Sequence, residues 1–258
     1  MRYLILSDIH ANREALEAVA AKTAGRYERL LCLGDMVGYG ADPAFVIDWL
    51  QAQPPEVKLQ IIRGNHDKAA IGQANLEWFN PAARKSALWT QTALSADHLN
   101  WLRKLPQGPA LVEDFWICHG SPLDEDQYLV TRADVEPLFG AHGPSALPPA
   151  LFFFGHTHRQ GGFLGPRQDI GKVRMLPGVA LDRDVLKGVL DPEHSYLINP
   201  GAVGQPRDRD PRAAYAFYDT ASRTVTYERV PYAIGAAQDK IRTAGLPHSL
   251  AARLAIGR

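Results

Sequence analysis

Short apolar runs recur along the first 160 positions, and each is followed by a polar segment. The runs are Tyr3-Leu4-Ile5-Leu6, Leu30-Leu31-Cys32-Leu33, Leu59-Gln60-Ile61-Ile62-Arg63, Phe115-Trp116-Ile117 and Leu151-Phe152-Phe153-Phe154. Between the early runs the period changes from that of a strand to that of a helix. Ala15, Leu16, Val19 and Ala20 share one helical face, and Asn12 stands where an N-cap belongs, so a helix is predicted from about Asn12 to Thr23. Asp42-Pro43 opens a second helix, with Pro at the first position. Strands are predicted at Arg2–Ser7, Arg29–Leu33 and Val57–Arg63. This alternation predicts right-handed β-α-β crossovers and parallel neighbours.

Residues 67 to 105 read as a helical hairpin set between the third and fourth strands. Pro81 opens one helix through Thr92, and Ser95 opens another that ends near Leu105. Trp78, Phe79, Trp89, Leu94, Leu99, Trp101 and Leu102 are expected to form its apolar face, either packed on the sheet or presented as a cap or self-association surface. Strand signals then dominate: Ala110–Glu113, Phe115–Cys118, Leu151–Phe154, Gly161–Leu164, Val173–Leu176, Tyr196–Asn199, Ala213–Tyr218 and Thr224–Arg229. Pro166-Arg167-Gln168-Asp169 and Asp182-Arg183-Asp184 read as polar loops. Residues 233 to 257 read as helices broken at Gly245-Leu246-Pro247. The expectation is one α/β domain over residues 1–258, with two sheets and outer helices.

Composition narrows the function classes. The 28 basic and 28 acidic residues cancel, so no broad basic surface for nucleic acid is expected. No apolar stretch approaches the ~18 residues of a membrane span, and Ser7-Asp8 interrupts the first run too early for a signal peptide. The chain is expected to be cytoplasmic. Cys32 and Cys118 lie inside apolar runs and are expected to be free, buried thiols.

The polar segments carry the chemistry: Asp8-Ile9-His10, Gly34-Asp35, Gly64-Asn65-His66-Asp67, Cys118-His119-Gly120 and Gly155-His156-Thr157-His158. Asp8 and His10 are two residues apart, as are His156 and His158, so each pair is expected on one side of a strand end. Carboxylate oxygen with imidazole nitrogen suits manganese, iron or zinc better than calcium or magnesium. Asp35 has two oxygens and can bridge two cations ~3.5–4 Å apart. Asn65 offers an amide oxygen, and His66 beside it is free to donate a proton or steady charge on a phosphate. Asp67 either holds that ring in one tautomer or caps the helix that follows. Asn12 either touches a phosphate or caps the first helix. Arg207 either reaches the substrate or is a solvated charge in a polar loop. His98, His142, His194 and His248 have no ligand context.

Five of the nine histidines fall in these segments. Their order, Asp-x-His, Gly-Asp, Gly-Asn-His-Asp, His-Gly, Gly-His-x-His, resembles the calcineurin-like metallophosphoesterase superfamily. Asn199-Pro200-Gly201-Ala202-Val203-Gly204-Gln205-Pro206-Arg207-Asp208 is similar to the Asn-Pro-Gly-Ser-Val segment of its small bacterial and archaeal phosphodiesterase branch. The resemblance implies a two-sheet β-sandwich core flanked by helices in four layers, αββα. It implies a first metal on Asp8, His10 and His158, a second on Asn65, His119 and His156, and Asp35 as the bridge. The resemblance makes His66 the catalytic histidine; Asp67 as its partner, and Asn12, Asn65 and Arg207 as residues that face the substrate, are expectations from the residues themselves. The implied cofactor is a pair of divalent ions, with manganese expected and iron, zinc, nickel or cobalt as alternatives. The implied activity is hydrolysis of a small phosphate ester, diester before monoester, by a hydroxide bridging the two ions. A nuclease of the same superfamily and a non-enzymatic interaction scaffold on this fold are the alternatives. The complete ligand set argues against the scaffold, and zero net charge argues against the nuclease. The resemblance leaves oligomeric state open.

Overall fold

Strand β1 (Arg2–Leu6) is apolar on both faces because both faces are covered. Leu4 and Leu6 face helices, whereas Tyr3 and Ile5 face a second sheet, which is the period-two alternation of a buried strand. The structure is a computed structural model that describes residues 1–139, 143, 150–167 and 173–258 of the 258. The loop readings for Gln168 and Asp169 and the reading of His142 lie outside the described residues.

Helix α1 (Arg13–Thr23) returns the chain so that β2 (Arg29–Cys32) pairs parallel to β1. Helix α2 (Pro43–Gln51) does the same for β3 (Lys58–Ile61). Three helices follow, α3 (Asn65–Ala70), α4 (Pro81–Ala93) and α5 (Ala96–Lys104). Next come β4 (Ala110–Val112), β5 (Phe115–Ile117), the short α6 (Arg132–Val135), β6 (Leu151–Phe153), β7 (Gly161–Pro166) and β8 (Arg174–Leu176). The chain closes with β9 (Val185–Val189), β10 (His194–Asn199), β11 (Ala213–Asp219), β12 (Thr224–Val230), α7 (Ile234–Thr243) and α8 (His248–Leu254). Two six-stranded sheets result, ordered β3-β2-β1-β11-β12-β9 and β4-β5-β6-β10-β7-β8. The expected α/β sandwich flanked by helices is what the chain forms.

Tyr3, Ile5, Phe115, Phe153, Ile198 and Tyr218 meet between the sheets. Helices α1, α2 and α5 cover the outer face of the first sheet through Leu16, Ile47 and Leu102. The second sheet is covered more thinly, by Leu129, Val135, Leu138 and Phe139 from the segment around α6. Both cysteines are buried and free, as expected.

Three expectations need correction. The 67–105 insertion is more than a hairpin, since α3 begins at Asn65 and carries candidate site residues. Trp78 does not join the packed face: it is 84% exposed, while Phe79 and Trp89 pack against α7 and α8. Asp182-Arg183-Asp184 is loop as expected, but the strand Val185–Val189 that follows it is missing from the expected strands. It is an edge strand of mostly exposed residues with Gly188 inside it, so no apolar alternation marks it.

Candidate metal centre

The polar segments all emerge at one end of the sandwich, but not as strand residues. β1 stops at Leu6 and β6 at Phe153, before the candidate ligands begin. Asp8, His10, Asp35, His156 and His158 all have positive φ, between 49° and 63°. The pleat expected to aim residues i and i+2 to one side is therefore absent, and left-handed turns aim them instead. Such backbone costs on the order of 1 kcal/mol or more per non-glycine residue and persists only where its surroundings hold it. Here backbone bonds hold it, including Asp8 N–H to the Gly34 carbonyl and His10 N–H to the Asp35 carbonyl. Gly64 permits the close approach of two segments: a Cβ there would lie 2.3 Å from Asp35 Oδ1.

Two overlapping groups form. Ligand atoms of Asp8, His10, Asp35 and His158 lie within 4.8 Å of one another, as do those of Asp35, His119 and His156. Asp35 belongs to both. Asn65 Oδ1 is 3.2 Å from His119 Nε2. All of these ligand candidates except Asn65 are buried.

The protonation pattern calls for a cation. His10 Nδ1–H donates to the Val37 carbonyl and His158 Nδ1–H to the Gln205 carbonyl. In the neutral rings both Nε2 lone pairs are therefore left facing each other, 3.1 Å apart. Asp8 Oδ1 stands 3.3 Å from His158 Nε2 and, though buried, has no hydrogen-bond partner. In the second group His119 Nδ1–H donates to the Leu33 carbonyl, so Nε2 faces the acceptors Asn65 Oδ1 and Asp35 Oδ2, and without an ion a proton held there, with the pKa of the ring raised to about 10, occupies the place a cation would take. His156 is turned the other way: Nε2–H donates to the Asp126 carbonyl, so its lone pair is on Nδ1. Acceptors facing acceptors in a buried pocket repel, and divalent ions would convert that repulsion into coordination. The donor set fits one ion in each group.

Electrostatics agree for His10, His66 and His156, and His119 stands apart. Burial holds His10 well below its ordinary pKa, and the neighbouring His158 lowers it further. Burial takes His66 down to about 4 and His156 down to about 3. Burial opposes charge on His119 too, but Asp35 outweighs it and raises that ring to about 10. Burial alone would raise Asp35, yet His119 and His66 hold it well below the carboxylate range.

These shifts set the sign of a pH effect. A histidine depressed in the fold binds its proton less readily than the unfolded chain does. Its stabilising contribution is thus present above about pH 6.5 and is lost as pH falls through the folded value. For His66 the window runs from 6.5 to about 4, with a loss of roughly 2 kcal/mol by pH 5. His119 works in the opposite sense, stabilising below 6.5 and losing that contribution as pH rises toward 10. Metal-free protein is expected to weaken between pH 6.5 and 4, and less steeply when His66 is replaced by Gln. Urea unfolding across that range checks both statements, and equal slopes for the two proteins would contradict them.

The remaining predicted residues separate. His66 lies beside the centre, with its ring 5.0 Å from that of His10 and against Tyr39 and Phe79, its backbone N–H on Asp35 Oδ1 at 2.8 Å, and Nδ1 buried without a partner. Asp67 does not orient that ring. Its two oxygens accept from the backbone amides of Asp35, Met36, Val37 and Gly64, so it locks the Asp35 loop to the start of α3. Asn12 takes its capping role: Oδ1 accepts from Ala15 N–H and Nδ2 donates to the Gly204 carbonyl. Arg207 is no solvated surface charge; its backbone N–H binds the His158 carbonyl and its guanidinium reaches the Tyr39 hydroxyl.

A cavity of about 500 Å³ opens beside the centre, lined by Asn65, His66 and His156 and walled by Phe79, Trp78 and Tyr128. The 67–105 insertion thus both packs on the core and walls this cavity. Sequence reasoning missed Tyr39 and Tyr128, whose rings lie 4.2 Å from His66 and 4.0 Å from His156. Tyr39 had a usable signal, an aromatic residue between two glycines just after Asp35. Tyr128 had none.

A sandwich whose strand ends deliver paired His/Asp groups to one rim defines a class as well as a site. The chain belongs to the calcineurin-like phosphoesterase superfamily, whose domain model matches residues 1–223. It is 32% identical to an uncharacterized protein, MJ0912, of Methanocaldococcus jannaschii, over 98% of this chain and 97% of that protein. A metallophosphoesterase from Sphaerobacter thermophilus superposes with a TM-score of 0.81 at 38% identity, covering 100% of this chain and 99% of that one. The hypothetical protein PH1004 of Pyrococcus horikoshii shares the fold, with a TM-score of 0.76 at 18% identity over 100% and 98% of the two chains. Among the described residues no helix is long and apolar enough to cross a membrane.

Proposed function

We propose that this chain hydrolyses small phosphodiesters with two divalent metal ions. Asp8, His10 and His158 would hold one ion, Asn65, His119 and His156 the other, and Asp35 would serve both. The observation that carries the reading is the sharing of Asp35 between two buried ligand groups. Bound there, two ions supply an activated water and neutralise phosphoryl charge.

The chain's own residues do the rest. His66 is neutral at pH 7, so it acts as a hydrogen-bond donor to the phosphoryl or leaving oxygen rather than as a stored imidazolium. Tyr39 and Phe79 pack against its ring and fix its direction. Asn65 lines the cavity where the phosphoryl group would sit, and Arg207 reaches that cavity only through the hydroxyl of Tyr39 on its wall. The cavity has room for an ester group on the phosphorus besides the one that leaves, which supports diester over monoester. Mixed oxygen and imidazole donors support manganese.

The test is a screen of metal-stripped protein reloaded with manganese, iron, zinc, nickel or cobalt. The substrates are bis(p-nitrophenyl) phosphate, p-nitrophenyl phosphate, cyclic nucleotides and single-stranded DNA. The expected result is highest kcat/KM on a diester with manganese. A higher value on the monoester would reverse the diester preference, and a two-metal protein inert toward every ester would remove the hydrolytic reading.

A further inference from the structure

Several buried or half-buried arginines in this protein are answered by carboxylates, Arg26 by Glu228, Arg212 by Asp210 and Arg229 by Asp208, whereas Arg63 stands against the neutral Gln73. Arg207 and Arg253 are not answered by a carboxylate either. Arg207 Nη2 lies 3.3 Å from the Tyr39 hydroxyl and 3.3 Å from Gln205 Oε1. Arg253 Nη1 lies 3.3 Å from the same Gln205 oxygen. Both guanidinium carbons stand over the Tyr39 ring, at 5.7 and 5.9 Å. Among the described residues, every acceptor these two side chains reach is neutral, and Arg207 Nε is buried with no partner. Burial and the charge of Arg207 lower the pKa of Arg253, which marks repulsion between the two.

Two guanidinium groups sharing one amide oxygen repel, and an oxyanion between them would answer both with charge-assisted bonds. Arg207 is joined to the metal-ligand region through its backbone N–H on the His158 carbonyl, while its guanidinium turns to the Tyr39 hydroxyl and Gln205. The pair is built from two parts of the chain. Arg207 follows the Asn199–Val203 segment, whereas Arg253 comes from α8, beyond the residues that match the superfamily domain.

We propose that Arg253 and Arg207 form a seat for a second phosphoryl group of the substrate, completed by the C-terminal helix α8. The seat prefers phosphodiesters that carry a phosphate besides the one cleaved. The naming of this ligand as part of a substrate rests on the phosphoesterase reading; the anion seat itself does not.

The experiment therefore has a metal-free arm. Metal-stripped wild type, Arg253→Ala and Arg253→Lys are titrated with inorganic phosphate by calorimetry, with thermal melts to confirm that each is folded. Wild type is expected to bind phosphate, Arg253→Ala to bind it about tenfold more weakly, and Arg253→Lys to fall between. In the metal-loaded arm, KM is compared for thymidine 5′-(p-nitrophenyl phosphate) and its 3′-phosphorylated form. Wild type is expected to show the lower KM for the phosphorylated form, and Arg253→Ala to lose that difference. No phosphate binding by metal-free wild type, or equal affinity in Arg253→Ala, overturns the seat. Equal KM values in wild type overturn the second phosphoryl group. Arg253-dependent phosphate binding by a protein inert toward all phosphate esters supports the seat and removes only the phosphoesterase reading.

Discussion

Replacing His66 with Gln is expected to lower turnover by about 10²–10⁴-fold while two metal ions per chain remain bound. The separation is expected because His66 does not join either group of facing ligand atoms. Its contribution to the metal site is its backbone, whose N–H donates to Asp35, and Gln retains that bond. Only the ring is lost, and the ring borders the cavity beside Asn65 and His156. A group that meets charge developing on the leaving oxygen acts in the transition state, so kcat should fall more than KM rises. Metal analysis and steady-state kinetics on one preparation check this. Near-wild-type kcat with both ions bound would end the assignment.

Replacing Asp35 with Ala is expected to abolish two-metal occupancy and cut activity by on the order of 10³-fold or more. Asp35 Oδ2 lies 3.6 Å from His10 Nε2 and 3.4 Å from His119 Nε2, so one carboxylate faces both ligand groups. Its Oδ1 also accepts the His66 N–H, and loss of that acceptor leaves a buried donor unpaired at a cost of about 1–3 kcal/mol. Asp35→Asn separates the two effects, since it keeps an acceptor but halves the oxygen ligands and removes the charge. Both variants should bind fewer than two ions per chain by metal analysis. Two ions held at wild-type affinity would refute the shared carboxylate.

Function at this site depends on backbone in an unfavourable region. Asp8, Asp35 and His158 sit in left-handed turns that the sandwich stabilises. Asp67 is part of that support, because its four amide contacts hold the turn from Asp35 to Val37 against α3. A carboxylate expected to partner His66 is therefore a structural brace, one helix position past it.

By itself the sequence determined the strands that bury both faces, the helices that return the chain, and the residue types at the metal centre. These are local properties: apolar period, capping residues and turn residues act between neighbours a few positions apart. β1, α1, β2 and β3 were legible for that reason, and β9 was not, because an exposed edge strand has no buried face to impose a pattern. The five ligand segments were legible because each carries its chemistry within four residues. Only the tertiary structure decided what those residues do together. It turned Asp67 toward backbone amides, spent Asn12 on a cap, and aimed the ligands through left-handed turns rather than a pleat. It brought Arg207 and Arg253 to one tyrosine ring, although 46 positions separate them and Arg253 lies in no motif. Contacts of that kind depend on how two sheets and their helices pack, a long-range outcome that no short pattern encodes.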